Sequence, residues 1–292
     1  MKRILITGAG SYIGQSVKQY LEQWPESYQV DTLSLRSDDW RQDSFHGIDA
    51  VLHAAGMVHQ PKSKKDSAES ERYDRVNHRL AVEVAQKAKS EGVGQFLFLS
   101  TEAVYGLCAP VGKVVTITKD TPLHPVDNYG ISKAKAEEAL AALREEGLKV
   151  VILRLPMIYG RGCKGNYQTL AKLAKKLPVF PLVENQRSML YIDNFCELFR
   201  LLVEDGADGL FCPQNAEYVS TSDMVNRIAH ANGRGILMVR GFTWALKLLS
   251  PVTEMADKAF GSLCYDRSLS DYPVNYCIKS FDQSILETEG KQ

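Results

Sequence analysis

Apolar residues along the chain fall into short runs separated by stretches with helical spacing. Residues 3–7 form a β-branched and apolar run that meets Gly8, the pattern of a buried strand. Ile13, Val17, Tyr20 and Leu21 then recur at helical spacing until Pro25 ends the helix. Val30–Leu35 reads as a second strand and Ala50-Val-Leu-His-Ala-Ala-Gly56 as a third, with room between them only for abbreviated elements. Residues 61–71 read as a solvated loop entering a helix that runs to Glu91. Phe96–Ser100 is the next predicted strand, Tyr129–Glu146 a helix and Val150–Leu155 a strand. Such alternation predicts an α/β fold, a doubly wound parallel sheet with helices on both faces.

After Pro156 the pattern changes. Residues 156–187 are rich in Gly, Pro, Lys and apolar residues, and Met189–Glu204 reads as a strand turn followed by a helix. Further helices are expected near 221–232 and 242–260. The predicted organisation is one domain of residues 1–155 plus about 188–208, and a smaller α/β lobe of about 156–187 plus 209–292. Trp244–Phe260 is amphipathic, but Lys247, Pro251, Glu254 and Asp257 interrupt it, so it reads as core packing of the smaller lobe rather than a membrane surface.

Composition narrows the function classes. Lys and Arg number 35, and so do Asp and Glu, which leaves no general electrostatic case for nucleic acid or an acidic membrane. No uninterrupted apolar stretch is long enough for a spanning helix, and the run before Gly8 is too short for a signal peptide. The six cysteines are scattered without a CxxC pair, as expected of reduced thiols in a cytoplasmic protein. His53, His59 and His124 lack ligand-like spacing and read as structural or loop residues; no metal site is expected.

Two motifs carry candidate chemistry. The first is Thr7-Gly-Ala-Gly-Ser-Tyr-Ile-Gly14, where Gly8, Gly10 and Gly14 follow a strand and open a helix. The first glycine permits a tight turn, the second lets a pyrophosphate approach the backbone, and the third allows close helix–strand packing. Ser11, Tyr12 and Ile13 lie at the helix N-terminus, whose free N–H groups suit phosphate oxygens. The spacing GxGxxxG is one residue longer than the usual fingerprint, and by itself it also fits an ordinary strand–turn–helix. NAD-binding chains place an acid at the tip of the second strand. Here that tip reads Leu33-Ser-Leu-Arg36, and Arg36 with Ser34 or Ser37 suits a 2′-phosphate, so NADP(H) is preferred and NAD(H) stays open.

The second motif is Tyr129-Gly-Ile-Ser-Lys133. Tyr129 and Lys133 share one face of a helix start. A nearby ammonium, with the charge of an oxidised nicotinamide, favours the phenolate and brings a tyrosine towards the working range.

Together with His53-Ala54-Ala55-Gly56, Leu99–Gly106 and Arg154-Leu-Pro156-Met-Ile-Tyr-Gly160, these motifs resemble the extended short-chain dehydrogenase/reductase family, with its Rossmann fold. Within it the chain is similar to nucleotide-sugar epimerases and 4-keto reductases. The resemblance implies catalytic roles for Thr101, Tyr129 and Lys133, with Lys133 also on the nicotinamide ribose. It implies cofactor contacts from Ala54, Ala55, Gly56, Asn77 and Pro156. Dehydratases of the family carry a glutamate two residues after the catalytic threonine; this chain has Ala103 there and Glu102 before it, which disfavours dehydration. Glu102 is a candidate substrate contact together with Thr101. Asn166 and Arg187 match family positions that grip the nucleotide diphosphate, although a capping asparagine and a structural arginine fit the same positions. Ala259-Phe-Gly-Ser-Leu263 with Tyr265-Asp266 resembles a stretch of bacterial reductases acting on UDP-linked 4-keto-6-deoxy-hexosamines. The implied function is NADPH-dependent reduction of such a sugar nucleotide for surface-polysaccharide precursors, with a UDP-hexose 4-epimerase as the alternative. Relatives also imply a homodimer through helices near 75–91 and 130–146.

Overall fold

The apolar runs pair as one parallel sheet in the computed structural model of the chain, which describes residues 1–58, 67–241 and 254–290. In chain order the first strands are β1 (Lys2–Thr7), β2 (Tyr28–Leu33), β3 (Ala50–His53) and β4 (Gln95–Thr101). After β5 (Val114–Ile117), which lies outside this sheet, comes β6 (Lys149–Leu155). Strand order is β10-β6-β4-β3-β1-β2, where β10 is Gly209–Phe211. All neighbours are parallel. Because β1 lies between β2 and β3, the winding reverses there, and the crevice beyond the C-terminal ends of these strands is where such sheets bind ligands.

Every residue of β4 is buried, which explains its unbroken apolar run. On one face Leu5, Val51, Phe96, Phe98 and Val150 meet α3 (Leu80–Ser90) and α4 (Asn128–Glu145). The small Ala81, Ala85 and Ala88 let α3 approach the sheet closely. Against the other face lies α1 (Tyr12–Leu21), which buries Val17 and Leu21. It is tied to α6 (Ile192–Glu204) by a 3.0 Å hydrogen bond from the Tyr20 hydroxyl to Glu197.

The structure alters several predicted bounds. β2 ends at Leu33, so Ser34 and Arg36 lie beyond the strand, and β3 ends at His53, leaving Ala54–Gly56 as loop. A 3₁₀ turn at Asp38–Arg41 around buried Trp40 fills the connection between β2 and β3. The helix predicted up to Glu91 is α2 (Ser67–Tyr73), a π-helix over Asp74–Arg79, and then α3. His59, the loop residues 61–66, and residues 242–253 of the expected helix near 242–260, Trp244 among them, lie outside the described residues.

The chain forms two compact units. One comprises Met1–Gly106, Pro122–Leu155 and Cys196–Cys212; the other Leu107–Thr121, Pro156–Phe195 and the chain from Pro213 onward. Residue 209, placed by pattern in the smaller lobe, instead starts β10 of the main sheet, a strand too short to show a period. Leu107–Thr121 joins the second unit because β5 pairs with β12 (Ser262–Tyr265), a partner far along the sequence. That unit also holds the pairs β7 (Met157–Tyr159) with β9 (Met189–Tyr191) and β8 (Val179–Pro181) with β11 (Leu237–Val239). Its helices include α5 (Asn166–Lys176), α7 (Thr221–Ala231), Glu254–Phe260 and Phe281–Thr288. Among the described residues no helix is long and apolar enough to cross a membrane.

Candidate active site

The turn leaving β1 is built on backbone contacts. Gly8 has φ +87°, and a Cβ there would lie 2.6 Å from Ala55 N and 2.7 Å from Ala55 Cα. Only glycine meets both conditions. Ser11 then caps α1, its Oγ accepting from Gly14 N at 3.3 Å. Gly14 sits against β1, where a Cβ would stand 2.8 Å from Ile6 Cγ2. At Gly10 a Cβ would meet nothing closer than the Arg36 guanidinium, 4.0 Å away. The turn therefore offers an open backbone face with an exposed arginine at its rim, and Tyr12 and Ile13 form the first turn of α1 behind it. This cradle, one that a side chain on Gly10 would fill, fits a dinucleotide.

Beside it runs the loop after β3. Ala54 N donates to Thr7 O at 3.1 Å. A Cβ on Gly56 would come within 3.1 Å of Asn77 Oδ1 and 3.5 Å of Lys133 Nζ. Asn77 is fully buried in the π-helix. Its Oδ1 accepts from Met57 N at 2.7 Å, while Nδ2 donates to Met57 O at 3.0 Å and Ser132 Oγ at 3.1 Å. The resemblance gives Asn77 a cofactor contact; in this geometry its amide clamps the loop to α4. The extra residue of the π turn is the kind of local distortion that collects at functional sites.

The candidate proton-transfer residues meet where α4 begins. Asp127 caps the helix by accepting from Gly130 N at 2.7 Å. Gly130 lets the helix start approach the 3₁₀ turn Glu102–Tyr105, since a Cβ there would lie 2.6 Å from Ala103 O. That approach brings Tyr129 beside Thr101. Tyr73 stands edge-on to the same ring, centroids 6.4 Å apart. Burial pushes the Tyr129 phenol up to about 12, with Asp127 and Tyr73 adding and the Thr101 hydroxyl opposing.

Lys133 is almost fully buried, donates to Leu99 O at 2.8 Å and lies 4.5 Å from the centroid of Phe98. Burial brings its ammonium down to about 8, with Glu137 opposing. The spacing predicts that this ammonium lowers the tyrosine; here it is turned to the Leu99 carbonyl, and the phenol stays protonated at neutral pH. Below Lys133, His53 is fully buried between Phe96 and Phe98, and its Nδ1 is 2.9 Å from Thr7 Oγ1. Burial, with Lys133 adding, drives it down to about 3 and keeps it neutral. A pH profile follows. Lys133 loses its proton near pH 8 and Tyr129 only near 12, so kcat is expected to fall on an alkaline limb near pH 8. A profile flat to pH 10 would count against an ammonium role for Lys133.

The motif pattern assigned no role to Ser132, Tyr73, Glu137 or Arg154. Ser132, inside the Tyr129–Lys133 motif, donates to Tyr129 O at 2.8 Å and holds Asn77. Glu137 lies one helical turn beyond Lys133, a spacing that could have revealed it. Glu102 opens the 3₁₀ turn, and Ala103 N donates to Thr101 Oγ1 at 3.2 Å.

Pro156, Asn166 and Arg187 belong to the second unit. Pro156 is buried directly after β6. Gly165, at φ +93°, caps α5, so Asn166 is its exposed first residue rather than the cap. Arg187 Nη1 donates to Lys258 O at 2.7 Å and Gly261 O at 3.4 Å, binding the end of helix Glu254–Phe260. At Gly261 a Cβ would fall 1.8 Å from Ala109 O, which accounts for the glycine of the Ala259–Leu263 stretch.

Compared with protein-family models, residues 4–210 match the NAD dependent epimerase/dehydratase family. The chain belongs to this family. It is an NAD(P)-dependent enzyme of the extended short-chain dehydrogenase type. A UDP-glucose 4-epimerase of Vibrio cholerae is 28% identical over 292 aligned residues, covering 91% of this chain and 88% of its own. A UDP-2-acetamido-2,6-beta-L-arabino-hexul-4-ose reductase of Pseudomonas aeruginosa is 24% identical over 218 residues, 70% of this chain and 50% of its own. Among solved structures, RMD from Pseudomonas aeruginosa complexed with NADPH superposes with a TM-score of 0.73 at 17% identity, covering 99% of each chain, which shows the shared fold. For this family member the Gly8–Gly14 turn, the α1 N-terminus and the Ala54–Gly56 loop are the residues that would hold the dinucleotide.

Proposed function

We propose that the protein reduces the 4-keto group of a nucleotide-activated, UDP-linked 4-keto-6-deoxy sugar with NADPH, in the supply of surface-polysaccharide precursors. The observation that carries this reading is the Tyr129 phenol placed beside Thr101 and raised by burial, and so protonated as a proton donor to a newly formed alkoxide must be. The bound nicotinamide supplies the hydride. Thr101 would orient the substrate oxygen, Tyr129 would give it a proton from its hydroxyl, and Lys133 would hold the ribose of the bound cofactor. Glu102 and, in the second unit, Asn166 and Arg187 remain candidate substrate contacts. Ala103 removes the base that a dehydration needs. A reductase is also among the relatives.

Arg36 beside Gly10 supports NADPH over NADH, because a guanidinium fork suits the 2′-phosphate. Replacing Arg36 with Ala is expected to raise KM for NADPH about tenfold and leave KM for NADH nearly unchanged, the difference of one charge-assisted contact. Equal changes for both cofactors would remove Arg36 from 2′-phosphate recognition.

A 4-epimerase is the second reading, favoured by the Vibrio cholerae relative spanning 91% of the chain. One experiment separates them: denature the purified protein and identify the released nucleotide, then follow nicotinamide absorbance with NADPH and a UDP-4-keto-6-deoxy-hexosamine. NADPH consumption supports the reductase. Released NAD with interconversion of UDP-hexoses and no NADPH consumption supports the epimerase. A homodimer through α3 and α4 is part of the same proposal, and light scattering of the purified chain tests it.

A further inference from the structure

Three consecutive residues of β4 lie against three side chains spaced four apart on α4, two of them hydrogen-bonded. Lys133 donates to the Leu99 carbonyl, Ser100 Oγ donates to Glu137, and Thr101 stands beside Tyr129. Tyr129, Lys133 and Glu137 thus form one stripe down the helix face that lies on the strand. The proposed chemistry uses the first two and leaves Glu137 without a task.

Glu137 is nevertheless the most elaborately held of the three. It is 5% exposed, and the Arg154 guanidinium grips it with Nε at 3.2 and 3.1 Å from its two oxygens and Nη2 at 2.6 Å from Oε2. Arg154 is the β6 residue in register with Ser100, so the pair spans strand, neighbouring strand and helix at one level. Its remaining Nη1 donates to the Tyr105 hydroxyl at 2.8 Å, and Tyr105 ends the 3₁₀ turn that begins immediately after Thr101. The Tyr105 hydroxyl in turn lies 3.9 Å from Cys212 Sγ. The same guanidinium therefore touches both flanks of Thr101, Ser100's partner on one side and the following turn on the other.

We propose that the buried Glu137–Arg154 pair is a positioning device of the reactive centre, fixing α4 and the 3₁₀ turn on β4 so that Tyr129 and Lys133 stay opposite Thr101 and Leu99. This rests on the reading of Thr101, Tyr129 and Lys133 as that centre. Stability alone does not call for such a pair, because well-packed apolar side chains in place of a buried ion pair are often neutral or stabilising. What the fork supplies is direction: two parallel hydrogen bonds hold a helix face in rotation and in height, which greasy packing does not. The carboxylate also places negative charge one turn from the buried Lys133 ammonium. The other titratable groups around that ammonium are His53 of β3, neutral at working pH, and Tyr129 of α4, protonated; Arg154 of β6 stands behind Glu137.

The test uses the full chain and two variants, the paired replacement Glu137→Met with Arg154→Met and the single Glu137→Gln. In the paired variant the melting temperature and NADPH affinity are expected to stay near wild type while kcat for NADPH-dependent reduction falls about tenfold or more, the effect of a small misplacement of the donor. KM should change less than kcat. In Glu137→Gln the midpoint of Lys133, followed by ¹³C NMR of labelled lysine and assigned with Lys133→Met, is expected to move to lower pH, because the carboxylate is lost while Arg154 remains. A paired variant with wild-type kcat, or a Glu137→Gln protein whose Lys133 midpoint does not move, overturns the proposal. If wild-type protein consumes no NADPH with the keto sugar, the reductase reading fails, and the NMR titration still decides the positioning role.

Discussion

Replacing Tyr129 with phenylalanine is expected to lower kcat about 10²–10⁴-fold, the usual contribution of a positioned general acid, with NADPH binding retained. The expectation follows from the surroundings of the phenol. Thr101 stands beside it, burial raises it, and among the described residues Tyr73 and Asp127 act in the same direction as burial. Phenylalanine fills the same space beside Tyr73 and leaves the Asp127 cap intact, so the cost in stability should be no more than about 1 kcal/mol. Stopped-flow measurement of hydride transfer with the keto sugar, alongside a melting curve, checks both parts. A variant retaining a tenth or more of wild-type turnover would take the proton donor away from Tyr129.

Replacing Gly8 with alanine is expected to damage the fold and the cradle together. The backbone there has φ +87°, and the added Cβ would press on Ala55 N and Cα, atoms of backbone rather than of a movable side chain. Left-handed strain and overpacking together amount to about 2–4 kcal/mol. The melting temperature should fall by several degrees, and NADPH affinity should fall with it because the turn and the loop after β3 must separate. Gly10→Ala provides the contrast. Its Cβ meets only the Arg36 guanidinium at 4.0 Å, so stability should hold while cofactor affinity drops. Equal melting temperatures for Gly8→Ala and wild type would refute the close-approach account of Gly8.

Much of the first unit was legible in sequence because its signals are local. Strand-length apolar runs, helical spacing and the glycines at a β1–α1 turn depend on neighbours a few residues apart, and they sufficed for the α/β class and the family. The π-helix around Asn77 was not legible, because one extra residue per turn leaves a helical pattern nearly unchanged. β10 and β5 were missed because three or four residues carry no readable period and their partners lie far along the chain. The contact of Arg187 with the end of helix Glu254–Phe260 was not legible either, because its partners lie some seventy residues further along the chain.

The sequence by itself determined which chemistry is present: a glycine turn after a strand, an arginine beyond β2, a tyrosine and lysine four apart, and an alanine where a base would be needed. These are identities and short spacings, and no folding is required to read them. Tertiary structure alone decided the state of those groups. Burial raises the phenol and lowers the ammonium, the Leu99 carbonyl rather than the tyrosine receives Lys133, and an ion pair from two separate elements sets the height of α4 on β4. Protonation and register depend on desolvation and on contacts between residues distant in the chain, and those exist only once the sheet and its helices have closed on one another.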